Sequence, residues 1–251
     1  MAARGFLGAG DIYIERIVAG VPQGLAGPYY ANKFEIKPNV ETKDLISKGR
    51  NNYGQTLESV VLQQPADFSL ELNEVNKESI ALALLGTATA TAQVAGTLAD
   101  QAVVIKKDRW VSVTKENLGE AITVKNTAGT LTYVEGTDYA LNRPLGLIKV
   151  LPASAIADAA SLNVSGGYAA ISSTVISGAT NSDVRARIVF DGINQADGLP
   201  VIVRVHEAVI AADSAFDFLA DDFNTVNLPG KLKTPTGKSE PFTVELRAAQ
   251  A

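Results

Sequence analysis

The chain has 251 residues, an apolar fraction of 46%, an aromatic fraction of 6% and a net charge of -5 at pH 7. This length and composition allow one large or two small globular domains, with a core built mainly from Val, Ile, Leu and Ala side chains. The acidic balance argues against binding of nucleic acid through its phosphates, and the lack of cysteine excludes disulfides, thiolate metal sites and cysteine nucleophiles.

Residues 1–30 are rich in glycine and other small residues. Gly20-Val21-Pro22 and Gly27-Pro28 are structure breakers, and one short apolar run lies near residues 12–18. This composition predicts an N-terminal arm.

Residues 33–64 have the pattern of a long β-hairpin with a polar tip. Apolar and polar side chains alternate over residues 34–41 with the period of two that a half-buried strand shows. Residues 42–55 are dense in charged and amide groups, and their Asn51-Asn52-Tyr53-Gly54 segment is typical of a turn. A return strand is predicted over residues 57–62. Because the tip has too little apolar surface for a core of its own, we expect contact with another chain to order it.

A third strand and a helix follow the hairpin. Every second side chain is apolar over residues 67–73, which predicts a strand, and the spacing over residues 74–85 predicts a helix with one apolar face. Asn73 or Asn76 would cap the start of this helix, and Gly86 would stand at its C′ position.

The middle of the chain has the pattern of a small β-domain. Residues 87–96 are rich in Ala and Thr and predict a linker. Short strands separated by turn residues then follow, which favours an inserted β-domain over residues 97–171. The candidate strands are 110–113, 122–125, 130–134, 139–142, 147–151 and 162–168.

The C-terminal part returns to strands that alternate apolar and polar side chains. These are residues 184–190, 201–206 and 242–247, and their pattern predicts half-buried antiparallel strands. Residues 213–223 combine aspartates at four-residue spacing with Phe and Leu, which predicts one or two amphipathic helical turns. The fold class predicted from all of these elements is mainly β with one or two short helices. Its core would be β-sandwich or barrel-like, from residues 1–87 and 172–251.

The order of arm, charged hairpin over residues 41–54, strand and helix resembles that of the major tail tube protein of tailed bacteriophages. Residues 187–222, with Asp191-Gly192-Ile193-Asn194 and an acidic end at Asp221-Asp222, are similar to the same family. The resemblance implies a subunit that assembles with itself into hexameric rings stacked as a hollow tube, with the hairpin and arm touching neighbouring rings. The inserted domain would be an outward decoration or extra strands of the sandwich.

The resemblance also implies partners and a location. Double-stranded DNA would pass through the lumen without specific binding, and the tape measure and the tail-terminator or baseplate proteins would be further partners. No apolar run approaches the roughly 20 residues needed to span a bilayer, and residues 1–11 lack the apolar segment of a secretory signal. We therefore expect a virion tail protein made in the host cytoplasm, with no membrane partner. A β-sandwich adhesin or baseplate module is the alternative function.

The hairpin tip supplies the candidate contact residues. A neighbouring subunit is expected to meet Lys43, Asp44, Lys48, Arg50, Asn51, Asn52 and Tyr53. The cations would pair with its acidic groups, and a solvated loop tip is the alternative. Contact with nucleic acid is disfavoured because Glu41 and Asp44 lie among the cations.

No catalytic, cofactor or metal site is expected. His206 is the single histidine, and its place in an alternating strand predicts a surface or interface side chain, since no triad can be assembled around it. Trp110 is expected to fill the core of the inserted domain, with contact to a carbohydrate or host surface as the alternative.

One acidic group has two interpretations. The aspartates of the predicted amphipathic turns could bind a cation, but they lack the spacing of a calcium loop, so a solvated helix face is favoured. These residues are Asp213, Asp217, Asp221 and Asp222.

Overall fold

The computed structural model describes residues 5–211 and 215–247 of the chain. The chain divides into two compact units, of which the first combines Met1–Thr89 with Ile176–Ala251 and the second is Ala90–Val175. Strands account for 59% of the structure and helix for 3%, which confirms the mainly β fold class. The second unit is longer than the predicted insertion over residues 97–171.

Within the described residues the elements follow one another as strands with one short helix. The elements before the second unit are β1 (Gly8–Val18), β2 (Val21–Tyr29), β3 (Ala31–Ile46), β4 (Thr56–Leu72) and α1 (Lys77–Ala83). The next elements are β5 (Thr87–Gln93), β6 (Gly96–Val104), β7 (Trp110–Ser112), β8 (Leu118–Asn126), β9 (Thr132–Tyr133), β10 (Tyr139–Asn142), β11 (Leu147–Val150), β12 (Ser161–Tyr168) and β13 (Ile171–Ser177). The last are β14 (Val184–Asn194), β15 (Leu199–Ile210), β16 (Val226–Leu232) and β17 (Phe242–Leu246).

The main sheet of the first unit is antiparallel and has the strand order β2-β1-β14-β15-β16-β4-β3, with β17 also paired to β15. Strands β2 and β3 lie at opposite edges of this order, although Tyr30 alone separates them in the chain. Consecutive Cα atoms are only about 3.8 Å apart, so the two edges meet at Tyr30. The sheet is therefore curled.

A single cluster of buried side chains lies inside this curled sheet. Alternate residues of β14 face it, namely Val184, Ala186 and Ile188, and those of β4 do the same. Helix α1 covers the same cluster with Leu82 and Ala83. Burial of each Leu, Ile or Val side chain stabilises the fold by about 1.5–3 kcal/mol.

Helix α1 is shorter than the predicted helix over residues 74–85. Asn76 caps it, because its side chain accepts hydrogen bonds from the backbone N–H groups of Glu78 and Ser79. At the other end Leu85, with a φ of 46°, takes the C′ position that the sequence assigned to Gly86, so that prediction was wrong. The amide of Gly86 bonds to the carbonyl of Ala81, as in a Schellman motif. Glycine is needed at residue 86 because a Cβ atom there would lie 2.7 Å from the Ser177 carbonyl oxygen.

The predicted N-terminal arm is instead part of the sheet, at least over residues 8–29. Ile12, Ile14 and Tyr29 are buried in the core cluster. The prolines that suggested an arm, Pro22 and Pro28, lie in β2, an edge strand that tolerates missing N–H donors. Residues 1–4 lie outside the described residues.

Two other interpretations from the sequence were wrong. The predicted linker over residues 87–96 contains β5, which pairs with β13. Its alternate Thr residues are β-branched and favour a strand. Residues 215–223 form turns and bends and no helix, and Asp213 lies outside the described residues. Phe218, Leu219 and Phe223 are 71%, 90% and 99% exposed, so Phe216 alone of the apolar side chains at 216, 218, 219 and 223 packs against the core.

The second unit has its own core and two small sheets, with strand orders β6-β12-β8-β9 and β10-β11-β7. Tyr139 and Ile148 are among its largest buried side chains. Trp110 lies on β7 and is 47% exposed, so the prediction that it fills this core was wrong. β6 was not among the predicted strands. In the part of the chain that the structure describes, no helix has the length and apolar character to cross a membrane.

Candidate functional site

The outer half of the β3–β4 hairpin extends beyond the sheet. Strand β4 pairs with β16 only from Asp67 to Leu72, whereas it pairs with β3 from Thr56 onwards. The residues 39–46 and 56–64 therefore form a two-stranded ribbon, which we call the arm ribbon. At about 3.4 Å per residue it is about 25 Å long.

The predicted strands over residues 57–62 and 67–73 are one continuous strand, so their separation was wrong. Pro65 lies opposite the register shift between Lys37 and Asn39, just outside the part of β4 that pairs with β16. The N–H that proline lacks therefore removes no bond to β16. Strand β3 likewise continues to Ile46, which makes the polar tip shorter than predicted.

Both faces of the arm ribbon expose large apolar side chains. Directly opposed residues share a face, so Thr42 with Val61 and Lys43 with Val60 mark the two faces. The exposed apolar residues of the ribbon are Val40, Leu45, Ile46, Leu57, Val60, Val61 and Leu62. An isolated two-stranded ribbon is marginally stable at best in water. The ribbon therefore offers an apolar surface that its own chain leaves uncovered.

Polar contacts across the ribbon are few and exposed. The Ser59 hydroxyl donates to the Asp44 carboxylate at 2.6 Å, and the Gln64 amide donates to Glu41 at 2.8 Å. Lys43 lies 3.8 Å from Glu41. Exposed pairs of this kind contribute only about 0–1 kcal/mol to the free energy of unfolding. They fix the register of the ribbon more than they stabilise it.

An ion pair stands at the base of the same hairpin. The Lys33 ammonium lies 2.5 Å from the Glu35 carboxylate. The hydrogen bond that Lys33 donates lowers the pKa of Glu35, and the same bond raises the pKa of Lys33.

The tip is organised by its own hydrogen bonds. The Ser47 hydroxyl is 2.7 Å from the Asn52 amide oxygen and accepts a 3.1 Å bond from the Gly49 amide. The backbone of Ser47 also bonds to Gly54 and Gln55. Gly54 has a φ of 85°, a conformation that favours glycine. The tip thus forms a closed turn around the buried Ser47 side chain.

The structure distributes the predicted contact residues over the ribbon and the tip. Lys43 and Asp44 lie on opposite faces of β3. Asn52 is partly buried and holds the turn, and the remaining members are exposed at the tip. These exposed members are Lys48, Arg50, Asn51 and Tyr53. Neither Lys48 nor Arg50 forms an ion pair with any residue in the described ranges. The exposure of the ribbon's apolar residues was missed, although the consecutive apolar residues Val60, Val61 and Leu62 place apolar side chains on both faces of a strand.

His206 is more buried than the sequence suggested. Its side chain is 13% exposed, and Nε2 lies 3.6 Å from a Glu240 oxygen without a hydrogen bond to any described residue. His206 is thus less exposed than a surface side chain, and its place at an interface stays a prediction. Over residues 5–211 and 215–247, no group of three or more His, Cys, Asp or Glu side chains is placed to hold a metal ion, so Asp217, Asp221 and Asp222 form no such cluster.

A protein-family model matches residues 5–241, which is most of the chain. The matching family has the description "Protein of unknown function UCP028589". No curated protein is matched by the sequence.

Proposed function

The chain belongs to this UCP028589 family, and we propose that it is a structural subunit that assembles with copies of itself into stacked hexameric rings forming a bacteriophage tail tube. The proposal is carried by one observation, the arm ribbon that projects past the sheet with apolar side chains exposed on both faces. The resemblance of the element order to tail tube proteins supports the hexameric, stacked form of the assembly.

The energetics of the ribbon favour a partner. Covering each large apolar side chain contributes about 1.5–3 kcal/mol, whereas exposed ion pairs contribute about 0–1 kcal/mol. The ribbon surface is apolar between charged residues, so a protein surface suits it better than a phosphate backbone. A second copy of the chain is the partner that fits this proposal, because each subunit of a tube is surrounded by identical subunits.

The proposed tube would carry double-stranded DNA during ejection into the host. A net charge of -5 suits a wall that a polyanion passes without binding. Contact with tape measure, tail-terminator and baseplate proteins belongs to the same proposal, as does a location in the virion tail.

Self-assembly can be tested directly. The purified chain is concentrated stepwise and followed by light scattering and negative-stain electron microscopy. Rings and tubes are expected above a threshold concentration. A particle that stays monomeric at every concentration and salt would contradict the proposal.

A matched pair of variants connects assembly to the ribbon. Val61→Asp places a charge on the exposed ribbon and should block tube growth, while Val94→Asp makes the same change at an exposed site in the second unit. Both should unfold at the wild-type temperature. Equal assembly of the two variants would show that the ribbon is not the contact.

A second candidate is a binding module, such as an adhesin or baseplate component. The half-exposed indole of Trp110, on β7 at the edge of a small sheet, favours it, since exposed Trp rings stack well on sugars. In this case the purified protein would form discrete particles of fixed size, and Trp110→Ala would abolish its binding to host cells without changing that size.

A further inference from the structure

A groove lies at the base of the arm ribbon, in the first unit. Its cavity volume is about 1030 Å³, and its walls include Val40, Val61 and Phe242. Lys231 and Lys233 also line it, and their side chains are 68% and 50% exposed. Lys231 is 4.0 Å from Asp67 and Lys233 is 3.3 Å from Glu207, so each ammonium keeps open space for a further anion. Glu240 also lines the groove. The groove is thus apolar inside, with two cations and the Glu240 carboxylate on its wall.

The segment 215–223, which we call the acidic loop, has the opposite character. Phe216 packs on the core and contacts the Phe218 ring edge-on, at 4.8 Å between centroids. Beyond this anchor Phe218 is largely exposed, and Leu219 and Phe223 are almost fully exposed. Exposed aspartates lie between them, at positions 217, 221 and 222. Exposed aromatic side chains of this kind mark an interaction surface.

The groove and the acidic loop lie at opposite ends of the same strands. Val226, which follows the loop, pairs with Leu72, and Lys231 at the groove pairs with Asp67. Phe218 and Phe223 line a shallow cleft with Asn32 and Asn73, at the end of the sheet away from the arm ribbon. The length of β16, at about 3.3 Å per residue, separates the two surfaces by about 20 Å. The acidic loop therefore cannot reach the groove of its own chain unless the end of the sheet that holds it unfolds.

We propose that the acidic loop of one copy docks into the groove of the next copy, with Phe218, Leu219 and Phe223 against the apolar walls and the aspartates near Lys231 and Lys233. The two surfaces differ and face opposite ends of the subunit, so the contact is heterologous and repeats along an axis. This proposal rests on the self-assembly proposed above, and it names the surfaces that carry it.

The size of the contact fits an assembly better than a dimer. An aromatic side chain buries about 150–250 Å², so Phe218 and Phe223 together cover about 300–500 Å² of one partner. A stable pair usually buries about 800 Å² on each partner. The loop contact alone is therefore weak between two copies, and it gains strength when a ring presents several loops to several grooves at once.

Disulfide capture tests the geometry of this contact. The chain has no cysteine of its own, so only the introduced cysteines can form disulfides. A Leu219→Cys chain is mixed with a Val61→Cys chain that carries a mass tag, and the mixture is oxidised. The expected product is a mixed disulfide, at least ten times more abundant than with a control chain carrying Leu145→Cys, an exposed position in the second unit. Equal yields from the two mixtures would overturn the proposal.

The outcome separates this proposal from the proposed function. Tubes seen by microscopy without the mixed disulfide would refute the loop-in-groove contact and leave the tube assignment standing. The mixed disulfide without rings or tubes would support the contact and refute the tube. If Tyr53→Cys at the arm tip couples to Val61→Cys better than Leu219→Cys does, the groove holds the arm of a neighbour and the proposal is wrong.

A charge exchange tests the polar part of the contact. Lys231→Glu should raise the concentration needed for assembly at least tenfold, and Asp222→Lys should do the same. The double variant should return most of the way to wild type. Lys106→Glu, at an exposed site of the second unit, serves as the control. Additive losses in the double variant would show that these residues do not meet.

Discussion

The Tyr29 phenol donates a 3.0 Å hydrogen bond to the Glu78 carboxylate, which joins the last residue of the edge strand β2 to the first turn of α1. Tyr29 is buried, whereas Glu78 is exposed. Burial first, and then the bond to Glu78, raise the pKa of Tyr29 above its ordinary value of 10.0. The bond therefore depends on a phenol that stays neutral.

This link predicts a particular response to alkaline pH. Because the folded state holds the Tyr29 pKa above its unfolded value, the stabilisation is fully present below pH 10.0 and is lost as the pH rises further. Tyr29→Phe should cost about 1 kcal/mol at neutral pH. Its free energy of unfolding should then fall less steeply than that of the wild type above pH 10.0. Urea unfolding of the wild type and the variant across a pH series measures the free energy of unfolding at neutral pH and its fall above pH 10.0. An equal fall in the two proteins would contradict the role given to the Tyr29 phenol.

The two units have separate cores, which predicts that the second can be removed. The core clusters share no residue, and the hydroxyls of Thr91 and Ser173 lie 3.0 Å apart where the chain leaves and returns. Replacement of residues 94–170 by a short Gly/Ser connection should leave the first unit folded, since a longer or shorter loop changes closure entropy only slowly. Circular dichroism and the unfolding temperature check this. A variant that does not fold would show that the first unit depends on the second.

Sequence patterns predicted those parts of the fold in which one face of a strand is buried. Val184, Ala186 and Ile188 alternate with polar residues, and all three lie in the core. The same rule failed at Ile12 and Ile14, because glycine and proline around them suggested an arm. The alternation rule also could not show whether Trp110 faces the core or the solvent. That depends on which face of the β7 strand the rest of the second unit covers.

The candidate surfaces were partly predictable. The polar tip of the hairpin was evident from its composition, whereas the groove was not. Its walls come from residues near 40, 61 and 242, which only the strand order brings together. The segment 213–223 was interpreted as one or two amphipathic helical turns because its apolar residues lie beside aspartates at four-residue spacing. Phe216 packs against the core, whereas Phe218, Leu219 and Phe223 are exposed, so this spacing does not mark a buried helix face.

The closed turn at the arm tip predicts a local effect of Asn52→Ala. The variant removes the contact of 2.7 Å with the Ser47 hydroxyl. The amides of Gly49 and Gly54 should then exchange hydrogen for deuterium at least several times faster, because both bond to Ser47 in the intact turn. The core amide of Leu70 should exchange at the wild-type rate. Unchanged exchange at both glycines would mean that the backbone alone holds the turn.

The exposed cations of the tip predict a separation of assembly from folding. Lys48 and Arg50 are exposed and form no ion pair within the described part of the chain, so the folded subunit does not depend on them. Lys48→Glu with Arg50→Glu should therefore block tube growth and leave the unfolding temperature nearly unchanged. The matched control is Lys106→Glu with Arg109→Glu, two exposed cations of the second unit, which should assemble normally. Light scattering follows growth, and thermal unfolding follows stability. Normal growth of the tip variant, or a much lower unfolding temperature, would show that the tip serves folding or solubility and is not an assembly contact.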